Sequence, residues 1–139
     1  MNWLTWALLS AVFAAATAIL AKRGVENIDS HLATAIRTTV VLVFAWAVAL
    51  AVVPAGSLAA VSRRTWRWLV LSGLATGLSW LCYFRALQLG EASRVAPIDK
   101  LSVVFVVFFA ALFLGESLNA RTLLGAGLIA AGAVVLALK

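Results

Sequence analysis

With 139 residues, 65% of them hydrophobic, and a mean hydropathy of +1.08, the chain lies far outside the roughly 45–50% apolar content of a soluble domain. A net charge of +6 would point to nucleic acid in a soluble protein, but here the basic residues cluster at the ends of apolar runs, where they anchor in lipid headgroups. Composition therefore implies an integral membrane protein whose partner is the bilayer, with no nucleic acid. One cysteine (Cys82) and one histidine (His31) are too few for a zinc site or for a Ser-His or Cys-His hydrolase, so no enzyme, metal or cofactor is expected.

Five apolar runs follow in chain order: Trp3–Ala21, Leu32–Val53, Trp68–Leu89, Val95–Leu114 and Leu123–Leu138. Four are close to the ~20 residues that cross ~30 Å of hydrocarbon, and the last crosses if Arg121 and Lys139 snorkel outward. The expected fold class is an all-α membrane protein, a single domain of five transmembrane helices over residues 1–139.

The first run carries no acidic residue, and Trp3 and Trp6 suit an interfacial aromatic belt. After it, "KRGVENIDSH" offers Asp29 or Ser30 as the cap of the second helix, which embeds Arg37. The connector "PAGSLAAVSRRTWR" leads to the third helix, where Ser72, Thr76, Ser79 and Tyr83 form one stripe, with Trp80 and Trp46 near mid-membrane. That stripe either lines an aqueous route or supplies interhelical hydrogen bonds. Gly73 and Gly77 on the adjoining face permit a close helix approach. The fifth helix carries small residues at Gly125, Ala126, Ala130 and Gly132, a smooth seam for helix packing within or between chains.

The fourth helix raises the sharpest question, because "SRVAPIDKLSVVFVVFF" sets Asp99 beside Lys100 near its start. Neighbours on a helix project about 100° apart, so the two are not expected to neutralise each other and each needs another partner. Counted from Ser93, Ser30 and Gly90, the residues Asp99, Arg37 and Arg85 reach a similar depth of about 8–10 Å from one face. The expectation is a polar layer in which Asp99 pairs with Arg37 or Arg85, while Lys100 snorkels or meets a wet cavity. Ser102 is counted with this set. Such a layer either lies on a transport path or only fixes helix packing. Pro97, in the same stretch, loosens the backbone there.

Five crossings put the chain ends on opposite sides. Arg63, Arg64, Arg67 and Arg121 fall on the first face, and Lys22, Arg23, Arg94 and Lys139 on the second, with Arg37, Arg85 and Lys100 leaning toward the latter. This small imbalance is what a chain inserting in both orientations would show.

The segments "AIRTTVVLVFAW" and "YFRALQLGEASRVAPIDKLSVVFVVFFAALFLGESL", with the Gly-rich last helix, resemble the EamA-like domain of the drug/metabolite transporter superfamily, specifically its short five-helix prokaryotic members. The resemblance spans the whole chain and is strongest from Arg85 to Glu116. It implies a multi-pass transporter or exporter of small metabolites in the inner membrane of a prokaryote. Longer relatives fuse two such domains as inverted repeats, so one domain implies a second, oppositely oriented copy, a homodimer, or a separate partner chain. Small multidrug resistance proteins, distant relatives, use a glutamate in their first helix, and its absence here argues against cation–proton antiport by that route. The embedded set Arg37, Arg85, Lys100 and Asp99 is net positive, which favours an anionic or zwitterionic substrate.

Overall fold

The computed structural model describes residues 2–138, and these are helical with no strand among them. The helices are α1 (Trp3–Gly24), α2 (Ser30–Val52), α3 (Arg63–Leu89), α4 (Ala92–Asp99), α5 (Leu101–Leu114) and α6 (Ala120–Ala137). Since α4 and α5 share one apolar stretch, Ala92–Leu114, the described residues hold 5 spans long and apolar enough to cross a membrane. Lys139, expected to snorkel from the last run, lies outside the described residues.

Side-chain caps fix where several helices begin. The Asp29 carboxylate accepts from the backbone N–H groups of His31 and Leu32 at 2.8 and 3.4 Å, so Asp29, not Ser30, is the α2 cap. Ser62 Oγ accepts the Thr65 N–H at 3.1 Å, which starts α3 at Arg63, ahead of the apolar run that begins at Trp68. Asn119 Oδ1 accepts the Thr122 N–H at 2.8 Å and opens α6. At the other end of α5, Gly115 adopts φ 68°, the left-handed conformation that ends a helix and that a side chain would strain.

The chain divides into two compact units. One comprises the described residues up to Leu20 and from Leu89 onward, in which α6 packs against α4 and α5 and buries Ala126 and Ala133. The other, Ala21–Gln88, buries Val25 and Leu87, both at 0% exposure, and also Ala33 and Phe84. Two hydrogen bonds tie the ends of this second unit together. Lys22 Nζ donates to the Leu87 carbonyl at 2.8 Å, satisfying one of the acceptors left over in the last turn of α3. Gln88 Nε2 donates to the Ile28 carbonyl at 2.9 Å. Most large apolar side chains along the spans are exposed, Leu50 and Leu74 among them, because acyl chains cover them as well as another helix would.

Leu87→Ala should therefore lower stability by about 2–5 kcal/mol, the usual cost of truncating a closely packed leucine. Leu69→Ala, at a lipid-facing position, should stay within about 0.5 kcal/mol. Denaturation of both purified variants in one detergent checks the contrast.

Candidate transport path

The fourth span is discontinuous. Pro97 has no N–H to return to the Ser93 carbonyl, and the helix ends two residues later at Asp99. Lys100 closes α4 and opens α5: its N–H bonds the Pro97 carbonyl at 3.0 Å in a tightened turn, and its own carbonyl accepts from Val103 at 3.0 Å.

This break corrects the expectation that Asp99 and Lys100 cannot meet. Lys100 Nζ lies 3.3 Å from Asp99 Oδ2, forming an ion pair. The 100° argument holds along an uninterrupted helix, whereas here the turn between α4 and α5, with the four-carbon lysine stem, lets neighbouring side chains converge. Lys100 is thus paired with its neighbour as well as partly exposed, and Ser102 follows on the exposed first turn of α5.

In the Ala21–Gln88 unit, α2 and α3 bring a cation onto an aromatic surface. The Arg37 guanidinium carbon lies 4.2 Å from the Trp80 ring centroid and 5.5 Å from that of Phe84. Ser30, Thr34 and Arg37 share one face of α2 at i, i+4, i+7 spacing, and both hydroxyl residues are buried. Thr34 Oγ1 donates to the Ser30 carbonyl at 2.8 Å, while Ser30 Oγ is buried without a partner among the described residues. Arg85 takes a different path, donating to Gln88 Oε1 at 2.7 Å, so Arg85, Gln88 and the Ile28 carbonyl form a chain at the end of α3.

The stripe on α3 is present, with Ser72, Thr76 and Ser79 exposed and Tyr83 half-buried. Thr76 satisfies itself by donating to the Ser72 carbonyl at 2.9 Å. Trp46 joins Leu50, Val53 and the Pro54–Val61 connector around a cleft of about 360 Å³. Side-chain space at Gly73 and Gly77 is open, with nothing among the described residues within 4 Å of an added Cβ.

The small residues of α6 do not make a single seam. Ala126 is buried and Ala130 half-buried on the side that packs within the chain, whereas Gly132 is exposed and an added Cβ there meets nothing within 4 Å. At 100° per residue, Gly125 and Gly132 align on a line rotated away from Ala126. Asp99 and the two arginines fall in different units, and each is placed by its own neighbours. Sequence reasoning missed Lys22, Ser30 and Gln88 as polar participants; a glutamine at the end of an apolar run and a lysine one turn past another were the available signals. Among the described residues no group of His, Cys, Asp and Glu could hold a metal ion.

The chain matches the EamA-like transporter family over residues 1–138. It is 56% identical over 136 residues to a Sinorhizobium sp. protein named "Uncharacterized transporter in cobO 3'region", covering 98% of this chain and 96% of that one. It is also 39% identical over 74 residues to a Pseudomonas aeruginosa (strain UCBPP-PA14) protein named "Probable 4-amino-4-deoxy-L-arabinose-phosphoundecaprenol flippase subunit ArnE", covering 53% of this chain and 63% of that one. No solved structure matches significantly. A match across nearly the full sequence, five membrane-spanning stretches and a near-full-length relative named as a transporter make this chain a multi-pass membrane protein of the EamA-like transporter family.

Proposed function

We propose that this chain is a secondary transporter of a small anionic or zwitterionic metabolite, working by alternating access as a homodimer in the inner membrane. The observation that carries the reading is the interrupted fourth span with the Asp99–Lys100 pair at its break. Transporters place substrate and ion sites where a membrane helix is discontinuous, because unwound backbone and embedded charge are tolerable only beside a cavity or another helix. The path residues are, in one unit, the Asp99–Lys100 pair with the hydroxyl of Ser102, and, in the other, the cations Arg37 and Arg85 with the polar and aromatic wall of Ser72, Thr76, Ser79, Trp80 and Tyr83.

Residues 1–139 act as one five-span half, and a second copy in the opposite orientation supplies the other. The copies meet along the Gly125–Gly132 line of α6, which is open in the single chain, while Ala126 and Ala130 serve packing within it. A second reading, in which a different membrane chain takes the place of that copy, is favoured by the relative named as a flippase subunit. The same relative's name joins an amino sugar to a phosphate, which supports a substrate of mixed or negative charge.

Four measurements test these statements. Asp99→Asn and Lys100→Met should each reduce uptake or efflux in proteoliposomes, with a coupling of about 0.5–3 kcal/mol in the double-mutant cycle. Coupling of Asp99 to Arg37 or Arg85 in the same design reads whether Asp99 exchanges partners during the cycle. Once Cys82 is replaced by alanine, cysteines at Thr76 and Ser79 should react with a small charged thiol reagent; inertness of both in folded protein would make the stripe a packing surface. A C-terminal tag should be accessible from both sides of intact cells' membranes, and Gly132→Leu should weaken the dimer severalfold by cross-linking yield. One uniform orientation with full activity of the chain alone would refute the antiparallel pair.

A further inference from the structure

Arg37 is seven residues into α2, about 10 Å along the helix from Ser30, within a membrane span where an uncompensated guanidinium is costly. Trp80 and Phe84 hold it by their ring faces, at 4.2 and 5.5 Å. A ring face attracts a cation but supplies no lone pair of the kind a carboxylate offers, so the five N–H donors are not used up by this contact. No carboxylate of the unit neutralises it. The acidic residues of Ala21–Gln88 are Glu26 and Asp29, both in the connector before α2, and Asp29 is engaged in capping that helix. In the other unit Asp99 is engaged with Lys100. What the guanidinium lacks is an acceptor with two oxygens set to meet its planar fork.

We propose that Arg37, held in position by Trp80, binds a carboxylate or phosphate group of the transported molecule. The inference rests on the transport reading above and names the substrate class for that site: small molecules bearing an oxyanion. Arg37 is the binding residue and Trp80 a positioning residue. Lysine would not substitute, because an ammonium is a point charge that neither stacks nor offers a bidentate edge.

The test uses the purified full chain in detergent with three probes of similar body and different head: benzoate, phenyl phosphate and benzyltrimethylammonium. Equilibrium dialysis should show binding of the two anions and not of the cation. Arg37→Gln should abolish anion binding, and Arg37→Lys, which keeps the charge, should weaken it about tenfold. Trp80→Leu should weaken it severalfold and Trp80→Phe should restore part of the loss, with ligand-free melting temperatures used to admit only folded variants. Anion binding unchanged in Arg37→Gln, cation binding equal to or tighter than anion binding, or no anion binding by the wild type would each overturn the proposal. Binding of anions through Arg37 by a chain that moves no solute in proteoliposomes, alone or with an added partner, would leave this site standing and overturn the transport reading instead.

Discussion

Hydrocarbon offers no hydrogen bonds, and nearly every polar arrangement in this chain answers to that constraint. Thr34, Thr38, Thr39 and Thr76 each return the hydroxyl proton to the carbonyl four residues back, at 2.7 to 3.1 Å, which lets a hydroxyl residue occupy a span without a partner helix. Lys22 and Gln88 reach across the helix ends to carbonyls that have no ladder partner. Asp99 and Lys100 neutralise one another at the only place in the fourth span where the backbone turns tightly enough to bring neighbours together.

The same constraint separates anchoring from function. Arg63, Arg64 and Arg67 sit in the first turns of α3, where a guanidinium reaches the headgroups and needs no protein partner. Arg37 is deep enough that an aromatic shelf holds it, and Arg85 finds a side-chain amide one turn away. Stability in such a bundle does not come from excluding water from apolar surface, because lipid covers leucine as readily as protein does. It comes from small contacts at helix ends and along faces where alanine lets backbones approach.

Much of this was legible from residue order. Composition and run length are sufficient for five spans, because crossing ~30 Å of hydrocarbon demands about 20 apolar residues whatever the packing. Asp29 as a cap candidate and the Ser72–Tyr83 stripe depend on local spacing, and both are present. The family likeness rests on short motifs such as "DKLSVV" and "FLGE", which are chemical strings and survive without coordinates.

What the tertiary structure alone decided concerns direction and partnership. Whether Asp99 and Lys100 diverge or meet depends on the helix ending between them, and a proline in the second turn permits either outcome. Which small residues of α6 face inward depends on how α6 rolls against α4 and α5, so Ala126 and Gly132 part company although both suit a seam. The shelf beneath Arg37 needs Trp80 and Phe84 to face α2, a matter of rotation between two helices whose contacting residues stand more than forty positions apart in sequence. The sequence by itself determined which segments enter the membrane and which charges go with them, because transfer into lipid is a property of each segment alone. Only the packing decided which of those charges are satisfied by their neighbours and which remain available to bind something else, because that depends on the rotation of one helix against the next.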